Sequence, residues 1–97
     1  MRLDLFLKLS RLVPRRTLAQ QMCEAGAVSL NGSAAKSAHL VRTGDKIVIR
    51  QRGRLSTIRV LDVPAAKQVS KSVALSLYEI TRVENYDPEV ASSEDDS

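Results

Sequence analysis

The sequence predicts an α+β fold: two N-terminal helices packed on a small antiparallel β-sheet, with an additional C-terminal segment. Three observations predict it. Apolar residues recur at helical spacing through residues 3 to 25, Asn31-Gly32 gives a strong short hairpin signal, and the apolar positions of residues 46 to 63 alternate as in strands. At 97 residues and 43% hydrophobic composition, the chain can bury one core and not two.

Leu3, Phe6 and Leu7, then Leu9 and Leu12, keep helical spacing, and Asp4 sits where a carboxylate favours the helix dipole, so a helix is predicted from about Leu3 to Ser10. Pro14 cannot continue that helix but suits the first position of a new one, predicted from Pro14 to Ala25. Its apolar stripe is Leu18, Met22 and Ala25, widened by Ala19 and Cys23, and Gly26 is the expected residue past its end. Val28 and Leu30 lead into the Asn31-Gly32 turn, and Leu40-Val41 into a turn at Thr43-Gly44-Asp45. A strand is predicted over Lys46 to Gln51 with Ile47 and Ile49 inward. After Arg52-Gly53-Arg54, a second runs from Ser56 to Val63 with Ile58 and Val60 on one face, stopped by Pro64. Val73, Ala74 and Leu77 suggest a last short helix or packing segment between Ser70 and Tyr78. Residues 84–97 read as an acidic, Ser-rich disordered tail behind a single domain of residues 1–83.

Charge is strongly segregated. Residues 1 to 83 hold all 15 Lys and Arg against five acids, a net +10, and residues 84 to 97 carry the other six acids. Lys8, Arg11, Arg15 and Arg16 fall within nine positions, with Arg2 upstream and Asp4 the only acid among the first 23 residues. A concentrated positive surface of this kind is the footprint of a polyanion binder, foremost a nucleic acid. Stacking on bases is disfavoured, because Phe6, Tyr78 and Tyr86 are the only aromatic residues, so recognition of RNA backbone and shape fits better.

Catalysis finds little support. His39 and Cys23 are each the sole residue of their kind, and Cys23 lies on the apolar side of a helix, where a buried inert thiol is expected. There is no zinc-ligand spacing, phosphate-cradling glycine loop or nucleophile elbow, so no metal, cofactor or enzymatic role is expected. Nor is there an apolar run long enough for a membrane span or a signal-peptide pattern, which predicts a cytoplasmic protein. In the second helix, packing the apolar stripe would turn Arg16 and Gln20 outward, and Arg15 and Arg16 oppose the helix dipole, a local penalty that makes sense where a phosphate binds. Lys36, Arg50, Arg52 and Arg54 extend positive charge along the sheet, although basic residues also protect edge strands from aggregation.

The run R-L-D-x-F-L-K-x-S-R-L-x-x-R-R-T-L-A from Arg2 to Ala19, with G-x-V-x-L-N-G at Gly26 to Gly32, Lys36 and V-x-x-G-D at Val41 to Asp45, resembles the S-four RNA-binding domain over residues 1 to 63. Within that family it is most similar to the stand-alone bacterial RqcP (YabO) type of ribosome quality control. The resemblance implies that Arg2, Lys8, Arg11, Arg15, Arg16 and Lys36 contact RNA phosphates, with Asp4 capping or orienting a neighbouring arginine. It implies rRNA of the large ribosomal subunit, peptidyl-tRNA and an RqcH-type tailing factor as partners of a monomeric chain, whose role is to support alanine tailing of stalled nascent chains. Two alternatives share the domain: a ribosome-associated heat-shock-type factor recycling obstructed large subunits, and an RNA-binding accessory subunit of a separate RNA-modifying enzyme. The acidic C-terminal residues differ from the basic extension of the heat-shock-type protein and favour the quality-control reading.

Overall fold

The chain, described here from a computed structural model over residues 1–85, begins with α1 (Leu3–Leu9), which buries Leu3, Phe6, Leu7 and Leu9. α1 has no side-chain N-cap. Its first amides instead donate to carbonyls of the loop after the first hairpin, Leu3 N to His39 O at 2.7 Å and Asp4 N to Ser37 O at 3.2 Å. Just past the Ser10 C-cap, Arg11 adopts φ 62°, and its amide donates to Lys8 O.

α2 (Arg16–Glu24) starts two residues later than expected. Arg15 is its N-cap, with extended backbone at φ −136° and ψ 144°, and Pro14 stands outside the helix. The buried face is Ala19, Met22 and Cys23, while Leu18 is half-buried and Ala25 is an exposed C-cap, so the stripe is rotated from the predicted one. The helix closes with Gly26 N on Cys23 O and Ala27 N on Met22 O, a double closure that needs the left-handed φ of 75° at Gly26. A Cβ at Gly26 would meet nothing within 4 Å, so Gly26→Ala carries only the backbone cost. We expect a loss of about 1 kcal/mol, read as a shifted urea midpoint with an unchanged slope.

Five strands form one antiparallel sheet in the order β2-β1-β3-β4-β5. β1 (Val28–Leu30) and β2 (Ser33–Ala34) flank Asn31-Gly32, both at positive φ as a type I′ turn requires. β3 (Lys46–Gln51) and β4 (Arg54–Val60) flank Arg52-Gly53, again both positive. Ile47 opposes Leu30 on one side and Ile58 on the other, which aligns the apolar face against Phe6, Leu7, Ala19 and Met22. The turns at Asn31-Gly32 and Thr43-Gly44-Asp45 meet in space: Asn31 Nδ2 donates to Asp45 Oδ1, and Lys46 N to Asn31 Oδ1 at 2.9 Å. β4 ends at Val60 rather than Val63, three residues short of the predicted stop.

The C-terminal segment differs most. α3 is only Lys71–Leu75, N-capped by Ser70, whose Oγ accepts from Val73 N. β5 (Tyr78–Asn85), not foreseen from the sequence, pairs along the whole of β4 with a bulge between Thr57 and Ile58. Glu84 and Asn85, assigned to the tail from composition, are therefore strand residues, and Glu84 pairs with Arg82. The remaining tail, residues 86–97, lies outside the described residues. Among the described residues no helix is long and apolar enough to cross a membrane.

Candidate nucleic-acid interface

The most informative side chain at the basic end is an acid. Asp4 has no exposed surface, although a carboxylate normally stays in water. Five donors surround it: Leu5 N at 2.7 Å and Arg2 Nε at 3.3 Å on Oδ1, and Gln20 Nε2 at 2.8 Å, Arg16 Nε at 3.2 Å and Arg2 Nη2 at 3.3 Å on Oδ2. Burial alone would raise the carboxyl pKa, and it is the largest single influence. The hydrogen bonds from Gln20, Arg16, the Leu5 amide and Arg2 together outweigh it and hold the group below its ordinary value. Asp4 is thus ionised and fully satisfied.

Its position follows from the helices. Arg2 is the N-cap of α1 and Asp4 lies in its first turn, while Arg16 and Gln20 lie one turn apart on α2. Where the two helices cross, one carboxylate reaches both arginines and ties α1 to α2. Arg16 and Gln20 therefore do not simply face solvent as the stripe suggested. They dock on Asp4, and Arg2 and Arg16 keep side-chain exposures of 45% and 42%. Each guanidinium has five N–H donors, of which the carboxylate takes one or two, so the fork retains donors for a second anion. The pair is preorganised, because rotamer freedom is already spent within the free protein.

The other sequence-derived candidates lie around this pair. The Lys36 carbonyl accepts from His39 N in the same loop whose carbonyls cap α1, which places Lys36 beside the Arg2 end of the helix. Lys8 lies one turn beyond Asp4 along α1 and is exposed, as are Arg11 and Arg15. α2 lacks a side-chain cap, so its N-terminal amides and the Arg15 and Arg16 side chains occupy one end of the helix. Gln20, missed as an anchor of Asp4, had one signal in the sequence: its position one turn from Arg16. Cys23 is buried, with its thiol pKa pushed upward by burial first and by the Asp4 charge second, which disfavours the thiolate.

Arg11 carries a further indication. Its φ of 62° is the left-handed region, which costs a non-glycine residue about 1 kcal/mol, and the matching position of α2 holds Gly26. A site that keeps arginine where glycine would sit with less strain suggests a use for the side chain. We expect Arg11→Gly to leave the melting temperature unchanged or slightly raised while lowering RNA affinity about tenfold, as measured by thermal melts beside filter binding.

Comparison with known proteins identifies the family. The S4 domain family matches residues 1–47. The chain is 45% identical to the RQC P-site tRNA stabilizing factor of Halalkalibacterium halodurans, over 87% of this chain and 93% of that protein. It is 39% identical to the factor of the same name from Bacillus subtilis, over 87% and 95%. Among solved structures, heat shock protein 15 of Vibrio cholerae, described as trimeric, superposes with a TM-score of 0.76 at 30% identity, over 100% of this chain and 92% of that one. The solution structure of the hypothetical protein HP1423 gives 0.74 at 38% identity, over 84% and 98%. With its S4 match, its sequence relatives and its two-helix-on-sheet architecture, the chain belongs to the family of RQC P-site tRNA stabilizing factors.

Proposed function

We propose that this chain is a non-catalytic RNA-binding factor of the large ribosomal subunit, a cytoplasmic monomer that binds rRNA and peptidyl-tRNA in ribosome-associated quality control. Its binding supports C-terminal alanine tailing of stalled nascent chains by an RqcH-type factor. The observation that carries the reading is the buried Asp4, which fixes Arg2 and Arg16 side by side at the crossing of α1 and α2 in a chain whose relatives are named RQC P-site tRNA stabilizing factors. Arg2, Lys8, Arg11, Arg15, Arg16 and Lys36 then bind phosphates of both RNAs at once, with Asp4 as the orienting group. No bond is made or broken. The contribution is contact free energy that slows departure of the tRNA from an open subunit. Six phosphate contacts correspond to a slope of log K against log salt of roughly −4 to −5.

The test is a reconstituted tailing reaction with large subunits carrying peptidyl-tRNA and the RqcH-type factor. Adding the protein should lengthen the alanine tails, and Lys8→Glu with Arg15→Glu should abolish the gain. Tails of equal length with and without the protein would refute the reading. The structural match to heat shock protein 15 over the full chain favours a second reading, a factor that recycles obstructed subunits without tailing. Subunit binding that clears peptidyl-tRNA rather than retaining it would select that alternative.

A further inference from the structure

Outside the Asp4 cluster, the tip of the β3–β4 hairpin faces the loop between α1 and α2 across a cavity of about 530 Å³. Arg11, Arg52 and Arg54 line it, over apolar surface from Leu12, Pro14 and Ile80. No carboxylate among the described residues pairs with any of the three arginines. Two of them, Arg11 at φ 62° and Arg52 at φ 50°, hold the left-handed backbone conformation. Among the described residues the only other non-glycine residue there is Asn31, which tolerates it. Two arginines from separate loops, each in a conformation suited to glycine or asparagine, thus converge on one groove.

We propose that this groove is a second RNA-backbone site, in which Arg11, Arg52 and Arg54 grip consecutive phosphates of a strand leaving the Asp4-centred surface. It rests on the ribosomal reading above and extends it. The concavity gathers three positive charges on one surface, so an anion seated in it meets their combined field. Three planar donors around one concavity suit phosphodiester oxygens, and no aromatic ring lines the groove for base stacking. Continuity favours RNA as the occupant. Arg11 and Pro14 also line the adjoining cavity that contains Lys8, so positive charge runs unbroken from α1 to the hairpin tip.

The test compares the full-length protein with the variant carrying Arg52→Asn and Arg54→Gln in binding to purified large subunits bearing peptidyl-tRNA, over a salt series. Arg52→Asn places the favoured Asn-Gly pair in the turn, so the fold should hold and melting should confirm it. The expected result is a slope shallower by roughly 1.4 to 1.8, two lost phosphate contacts, with affinity some thirtyfold weaker at 0.1 M salt. An unchanged slope in this variant beside a reduced one in Arg16→Gln overturns the groove and leaves the ribosomal reading standing. Unchanged slopes in both overturn the reading beneath it as well. Tighter binding by the variant, reproduced by Glu94→Gln with Asp95→Asn and Asp96→Asn and not increased by combining the two sets, would assign the groove to the chain's own acidic residues and overturn RNA as its ligand.

Discussion

Replacing Asp4 by asparagine is expected to weaken RNA binding even though it raises the net charge by one unit. Simple charge counting predicts the opposite, since removing an acid from a basic surface strengthens its field. In this structure the carboxylate is buried and its charge is spent on Arg2 and Arg16, so its loss frees both side chains to wander and gives back the entropy that preorganisation had removed. The same change should cost about 2 kcal/mol of stability, because Gln20 and the Leu5 amide lose a charged acceptor while water reaches the half-exposed guanidinium groups and takes over part of their loss. For a domain of this size that is a fall in melting temperature of roughly 8–16 °C. Tighter RNA binding by Asp4→Asn, with wild-type melting, would show that Asp4 merely dilutes the positive surface.

The same cluster sets an acid limit. The Asp4 carboxyl is held below its ordinary value of 3.8, so the unfolded chain takes up a proton at higher pH than the folded one. The stabilisation is complete above the ordinary value and disappears as pH falls through the folded one. Wild type and Asp4→Asn should therefore differ at neutral pH and converge in strong acid, as followed by urea midpoints across the acid range.

The second large effect separates binding from folding. Lys8 and Arg15 are exposed, and no ion pair among the described residues uses either. Arg15 is the N-cap of α2, where a carboxylate suits the helix dipole better than a guanidinium, by about 0.5 kcal/mol. Lys8→Glu with Arg15→Glu should therefore melt within a few degrees of wild type. Two attractions to phosphate become two repulsions, and affinity for large subunits should fall by about a hundredfold or more. A filter-binding series with melting controls decides it. Retained affinity in a folded variant would move the RNA surface away from the α1–α2 end.

Much of this was legible in the sequence, for identifiable reasons. Leu3, Phe6 and Leu7 keep helical spacing, Ile47 and Ile49 alternate, and Asn31-Gly32 permits few other turns, so α1, the first hairpin and β3 follow from local rules. α2 was displaced because Pro14 suits both the first helical position and the residue before a cap, and only backbone angles separate the two. β5 escaped because only Tyr78 and Ile80 alternate before Val83 falls out of phase, and an edge strand exposed along nearly its whole length carries a weak hydrophobic period. The bulge at Thr57 and Ile58 further shifts the pairing. At the site, the arginines were visible as charge, and an orienting role for Asp4 followed from resemblance. Its complete burial, and Gln20 as its shortest side-chain partner, depend on how two helices cross, which spacing within either helix does not encode.

The most direct test of the central claim is co-sedimentation of the tagged full-length protein with ribosomal particles from lysate, wild type beside Lys8→Glu with Arg15→Glu. The account predicts wild-type protein on free large subunits carrying peptidyl-tRNA, and the folded variant at the top of the gradient. Both proteins at the top, or both on the subunits, would contradict it.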